Sequence, residues 1–164
     1  MVLKEKLNLE LKESLKSGNT QKRLTVGMIL SSIKNKELEK RTKLSKTITN
    51  AKKLQEECLL NEEEILGVIG AEAKKRKESI DLFTKGGRDD LVKKENDELK
   101  IIMAFLPEQI GEEELKKIIK EAISQTGASS AKDMGKVIGI VAAQVKGKTD
   151  GATISRIVKE ELGA

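Results

Sequence analysis

The sequence predicts an all-α protein: an N-terminal helical domain built around a long antiparallel helical hairpin, then a small three-helix C-terminal domain. Three observations predict it. Apolar residues recur at three- and four-residue spacing through most of the 164 residues. Gly, Asn, Asp and Ser residues that stop or cap helices interrupt that pattern at helix-length intervals. Charged residues make up 36% of the chain and hydrophobic residues 37%. This mixture suits slender helices with narrow apolar stripes and is too apolar and too periodic for a disordered chain.

Leu3, Leu7, Leu11 and Leu15 repeat every fourth residue and mark one face of a first helix. Ser17-Gly18-Asn19 stops it, and Asn19 can cap the next. The second helix carries Leu24, Met28, Ile29 and Ile33, read as core, with the methionine as filling. Residues 39–60, EKRTKLSKTITNAKKLQEECLL, lose clear periodicity. A helix extension followed by a mobile connection is expected there. Asn61-Glu62-Glu63-Glu64 is a helix start: Asn61 caps, Glu64 holds the capping-box position, and three acids suit the positive end of the helix dipole.

The third helix presents Leu66, Ile69, Ala73, Arg76, Ile80 and Phe83, and the fourth Leu91, Glu95, Leu99, Ile102 and Phe105 or Leu106. Between them lies KGGRDDLVKKE, Lys85 to Glu95. Folding the chain back at Gly86 so that paired positions sum to 171 sets Ile80 against Leu91, Ile69 against Ile102 and Leu66 against Phe105. The same register sets Arg76 against Glu95, which predicts an ion pair across the hairpin. Gly86-Gly87 is therefore read as a turn, with glycine free to take the left-handed conformation that ends a helix, rather than as a phosphate cradle. Asp89 or Asp90 begins the following helix.

Pro107, the one proline, restricts Leu106 and ends the fourth helix, so domains 1–106 and 108–164 are expected. Three short helices follow. The first starts near Glu112 and buries Leu115, Ile118, Ile119, Ala122 and Ile123, and Thr126-Gly127 ends it. Ser129 or Ser130 caps the second, which carries Met134, Val137, Ile138, Val141 and Val145, and Gly147 ends it. Asp150 caps the third, with Ile154, Ile157, Val158 and Leu162.

Composition excludes much chemistry. The chain has no histidine, which removes Ser-His-Asp and Cys-His catalysis, His-based zinc sites and imidazole acid–base work. The lone Cys58 cannot form an internal disulfide and fits a reducing compartment. No stretch approaches a membrane span and no signal-peptide core follows Met1, so a soluble, cytoplasmic protein is expected. Acidic runs such as Glu112-Glu113-Glu114 are helix starts rather than metal ligands. Neither a metal nor another cofactor is expected. AAQVKGKT, Ala142 to Thr149, misses the nucleotide-binding pattern GxxxxGK[ST] at its first glycine, and a helix rather than a strand precedes it.

The net charge is +5, with nine basic and nine acidic residues from Glu108 onward, so the N-terminal part holds the whole excess. Only clustering can make the C-terminal domain attractive to a polyanion. The expected cluster is Lys132, Lys136, Lys146, Lys148 and Arg156: two lysines one turn apart, a basic turn, and the start of the last helix, where backbone N–H groups favour an anion. Lys74, Lys75, Lys77 and Arg88 form a secondary basic patch. With two Phe and no Tyr or Trp, base stacking is not expected, and RNA contacts fall to the backbone.

KRKESI (Lys75 to Ile80), GRDDLVKKE (Gly87 to Glu95), FLPEQ (Phe105 to Gln109), GASSAKDMGKVIG (Gly127 to Gly139) and VKGKTDG (Val145 to Gly151), in this order, resemble the YqeY family. Its members are similar to the tail domain of the tRNA-dependent amidotransferase B subunit. Residues 41–60 depart from the family pattern as a longer connection, and Gly111 stands where a Ser cap is common. The resemblance implies two helical domains and a place near tRNA, with tRNA, amidotransferase subunits or other proteins as partners. It also implies association with a carbon–nitrogen ligase that uses glutamine as amido-N-donor. The residues themselves show no amidase nucleophile setting and no ATP site, so binding rather than stand-alone catalysis is the expectation. The alternative is a helical protein–protein adaptor that does not touch RNA.

Overall fold

The computed structural model describes residues 2–163. Among them the fold is all-helical: α1 (Val2–Lys16), α2 (Thr20–Leu44), α3 (Ala51–Glu57), α4 (Glu62–Lys85), α5 (Asp89–Met103), α6 (Glu112–Thr126), a 3₁₀ turn (Ala131–Asp133), α7 (Met134–Val145) and α8 (Gly151–Glu161), with no strand. The chain divides into two compact units, Met1–Phe105 and Leu106–Ala164.

In the first unit α4 and α5 form the most extensive helix pair and α1 packs along α2. The α1 stripe differs from the expected one. Leu7 and Ser14 are buried, Leu3 and Leu11 half-buried, and Leu15 is 58% exposed. At 3.6 residues per turn each four-residue step overshoots by about 40°, so Leu15 has turned about 120° away from Leu3, whereas Ser14, eleven residues on, returns to within about 20°. The buried Ser14 hydroxyl donates to the Leu11 carbonyl at 2.8 Å, which satisfies it inside the stripe.

The same geometry corrects α2. It buries Thr25, Val26, Ile29 and Ile33. Leu24 and Met28, expected in the core, are 58% and 41% exposed, because both lie about 160° from Val26 around the helix. Asn19 caps α2 by accepting from Lys22 N–H at 3.0 Å.

The expected mobile connection is partly ordered. After a turn at Ser45–Thr47, Asn50 accepts from Lys53 N–H at 3.0 Å and starts α3. Cys58 and Leu60 then drop into the core. Two charged side chains of α2 hold this return: Lys40 Nζ donates to Leu59 O (3.1 Å) and to both Glu64 oxygens (2.9 Å), and Glu37 accepts from Leu60 N–H (3.3 Å) and Lys4 Nζ (2.6 Å). Asn61 and Glu64 complete a reciprocal capping box at the start of α4, at 2.8 and 2.9 Å. Ile65, absent from the expected seam, is fully buried.

At the hairpin turn Arg88 N–H donates to Phe83 O (2.9 Å) and Gly87 N–H to Thr84 O (3.2 Å). This paired closure of a helix end needs a left-handed residue, and Gly87 takes it with φ 66°. No aspartate side chain caps α5. Arg88 occupies the N-cap and turns its guanidinium onto Asp90 at 3.0–3.1 Å, while Asp89 is the first helical residue.

The second unit buries Leu115, Ile119, Ala122, Val137, Val141, Val145, Ile154, Ile157 and Val158, with Ile118, Ile123, Met134, Ile138 and Leu162 packed around them. Gly127, at φ 64°, ends α6. Ser130 and Asp133 form a capping box on the 3₁₀ turn that leads into α7.

Candidate nucleic-acid interface

The five cations expected to attract RNA in the second unit have unequal surroundings. Lys132 lies in the 3₁₀ turn and Lys136 in the first turn of α7, so α-helical spacing does not align them. Both are exposed. Asp133 sits between them, its carboxylate accepting from the Ser130 hydroxyl (2.9 Å) and from the Ser129 and Ser130 N–H groups (3.2 Å each). The Ser130 hydroxyl first, then the backbone N–H groups and the nearby Lys136 charge, hold Asp133 below its ordinary carboxylate range.

Lys146 and Lys148 flank Gly147, whose φ is 74°, in an exposed turn with a pinned backbone. Gln109 Nε2 donates to Gly147 O (2.9 Å) and Ile110 N–H to Lys148 O (3.0 Å). The first turn of α8 is already served by the chain's own anion: Asp150 accepts from Thr153 N–H and the Thr153 hydroxyl, both at 2.9 Å. Arg156 is likewise engaged, 2.7 Å from Glu160 and 3.2 Å from Glu112. Arg156 is the main cause of the lowered Glu112 pKa. Its charge is thus covered by two carboxylates.

The secondary patch is mostly paired. Lys75 lies 2.8 Å from Glu72, Lys74 3.8 Å from Glu78, and Arg88 3.0 Å from Asp90, while Lys77 is exposed. On the hairpin seam Arg76 Nε lies 3.6 Å from Glu95 and 3.0 Å from Glu98, with all three side chains 13–15% exposed. Arg76 Nη2 reaches Sδ of the partly exposed Met28 at 3.7 Å. The summed register alone does not pair Glu98 with Arg76, although Glu98 precedes Leu99 on the same seam.

Sequence reasoning missed two further features. A groove of about 530 Å³ runs between α2 and α4, floored by Leu60, Gly67, Val68 and Ala71. At its edge Glu72, 7% exposed, accepts from the Ser32 hydroxyl (3.0 Å) and Lys75 (2.8 Å). The other feature is the exposed basic corner at the end of α2 and the start of α3, which a running charge count would have found. Among the described residues no group of three His, Cys, Asp or Glu side chains is placed to hold a metal ion, and no helix is long and apolar enough to cross a membrane.

The described residues form two all-helical units with exposed cations on both. The chain belongs to the YqeY family: the family model described as "Yqey-like protein" matches residues 4–162, nearly all of it. It is also similar to fungal proteins named "Altered inheritance of mitochondria protein 41, mitochondrial". The Eremothecium gossypii protein is 32% identical over 100 residues, 61% of this chain and 46% of that protein. The Pyrenophora tritici-repentis protein is 27% identical over 168 aligned residues, 99% of this chain and 82% of that one. The Vanderwaltozyma polyspora protein is 28% identical over 135 residues, 78% and 64%. The matched part is thus under half of the first relative and under two thirds of the third.

Proposed function

We propose that this protein is a non-catalytic, tRNA-associated helical module that holds RNA by its phosphates and shape. What carries the reading is the family match through both units, residues 4–162, because the YqeY motifs resemble the tRNA-holding tail of the amidotransferase B subunit. Composition supports a backbone mode: without Trp or Tyr there is no stacking platform, and the contacts fall to cations. In the second unit Lys132, Lys136, Lys146 and Lys148 are the proposed contacts. Arg156 orients Glu112 and Glu160 instead of leading. Lys74, Lys75, Lys77 and Arg88 remain a secondary surface. Any link to carbon–nitrogen ligation with glutamine as amido-N-donor runs through partner subunits, and a cytoplasmic or other aqueous compartment suits the fold.

The test is tRNA binding by the full chain across a salt series. Phosphate contacts predict affinity that falls steeply with salt and is equal for tRNAs of different sequence. Absence of binding at low salt overturns the reading. It then favours the second one, a protein adaptor, for which the α2–α4 groove with its apolar floor and charged rim is the supporting observation.

A further inference from the structure

The positive charge of this protein is concentrated far more sharply than its two halves indicate. Residues 40–55, KRTKLSKTITNAKKLQ, contain six basic side chains and no acidic one. That leaves 26 basic residues against all 27 acidic ones, so outside this stretch the chain is net −1. The stretch forms one corner of the first unit: the last turn of α2, the 45–50 turn and α3 as far as Gln55; α3 packs back on α2 and closes with the exposed Glu56 and Glu57. Lys40 is bound by Glu64. The other five cations, Arg41, Lys43, Lys46, Lys52 and Lys53, are exposed, and no carboxylate is paired with them in direct contact among the described residues, although the Lys43 charge contributes to holding Glu39 below its ordinary range.

Local structure accounts for only part of this. Arg41 and Lys43 lie in the last turn of α2, where cations favour the negative end of the helix dipole. Lys52 and Lys53 lie in the first turn of α3, where the same dipole disfavours them. They weaken the helix they start, so a stability role does not explain them. The corner's chemistry also discriminates among polyanions. Its larger apolar side chains, Leu44, Ile48 and Leu54, are half-buried, and it carries no aromatic residue, so it has little to insert into a bilayer. A protein interface gathers apolar and aromatic side chains at a centre depleted of charge, which this surface lacks. A phosphate backbone needs only closely spaced cations.

We propose that the α2–α3 corner is a docking surface for the phosphate backbone of RNA, with Arg41, Lys43, Lys46, Lys52 and Lys53 as the contacts. The inference rests on the RNA-associated reading above and moves the main contact from the second unit to the first. Five phosphate contacts give a log–log salt slope of about −3.5 on a single strand and −4.5 on a duplex, so affinity drops about 100- to 500-fold between 50 and 200 mM salt.

The experiment uses the full chain and a fluorescein-labelled 20-nucleotide RNA, single-stranded and as a duplex, followed by anisotropy. One variant changes Arg41, Lys43, Lys46, Lys52 and Lys53 to Gln; a second-unit variant changes Lys132, Lys136, Lys146 and Lys148 to Gln. Circular dichroism verifies that each keeps wild-type helicity, and if the five-fold variant does not, Lys46→Gln/Lys52→Gln/Lys53→Gln replaces it. The expected result is loss of at least tenfold in affinity and of most of the salt slope in the corner variant, against a smaller loss, about two- to fivefold, in the second-unit variant. A corner variant that binds like wild type, or a second-unit variant that loses as much as the corner variant, overturns the corner as the main contact and leaves the RNA reading standing. No RNA binding by wild type overturns both. Binding of wild type to vesicles carrying 30% phosphatidylserine that equals its binding to RNA, lost in the same variant, overturns the choice of RNA.

Discussion

Replacing Arg76 by Met tests the reasoning about the hairpin seam most directly. The substitution keeps a long apolar stem and removes only the charged head. In the native protein that head lies 3.0 Å from Glu98 and 3.6 Å from Glu95, and each carboxylate side chain is 13–15% exposed. Arg76→Met therefore leaves two largely desolvated negative charges together without a cation. Removal of one partner from a buried ion pair costs about 3–5 kcal/mol. The lower end applies here. Arg76 Nε and one Glu95 oxygen are covered by protein yet make no aligned hydrogen bond, so their attraction is that of adjacent charges. At roughly 1–2 kcal/mol per molar for a unit of this size, a loss of about 3 kcal/mol moves the urea midpoint down by about 1.5–3 M. The assay is urea unfolding followed by circular dichroism at 222 nm. The triple variant Arg76→Met/Glu95→Gln/Glu98→Gln removes the orphaned charges and is expected to regain at least half of the loss. A loss below about 1 kcal/mol for Arg76→Met, with no recovery in the triple variant, refutes the reasoning and marks the cluster as solvated.

The second unit has 59 residues and a correspondingly thin core. Ile119→Ala, at a fully buried position, is expected to cost about 2–5 kcal/mol, much of that unit's stability, and to make it unfold first in a thermal melt. Acid is expected to destabilise the whole chain. Lys36 beside Glu39, Lys40 beside Glu64, Arg88 beside Asp90, Arg156 beside Glu112 and the Ser130 hydroxyl on Asp133 each hold a carboxyl below its ordinary value of 4.5 or 3.8. The unfolded chain then takes up protons before the folded one. The contribution of these groups is complete above the ordinary values and is lost as pH falls through the depressed folded ones. The melting temperature should fall below about pH 4.5, and less so for Glu64→Gln; a flat profile from pH 5 to 3 counts against it.

The helices were legible because spacing, caps and glycines agreed. Asn61 with Glu64, and Gly87 and Gly127, each mark a boundary by a local mechanism that does not depend on tertiary context, whereas Ser130, expected with Ser129 as a cap of α7, caps the 3₁₀ turn before it through Asp133. The face that each long helix buries was less legible. Leu24 and Met28 are as apolar as Ile29, but the direction of the stripe is fixed by neighbours that a linear sequence does not reveal. In α1 the winning position was a serine, which no hydrophobic pattern selects. The site was less legible still. Residue type located Arg156 and Lys74, but the carboxylates that cover them come from turns of helix or from other elements. The basic corner went unread because it lies where periodicity fails, and there the informative signal is the run of 16 residues without an acid.

The two phenylalanines stand near opposite ends of the α4–α5 hairpin. Phe83 is half-buried in the last turn of α4, beside the Gly87 closure, and Phe105 is buried just beyond α5, its ring faced by Lys6 Nζ at 5.7 Å. No other aromatic side chain exists in the chain. Biosynthetic labelling with fluorinated phenylalanine therefore yields two fluorine resonances, one reporting on the tip of the hairpin and one on its base. Their separate broadening on titration with denaturant or RNA distinguishes fraying at the turn from opening at the base, without any substitution in the protein.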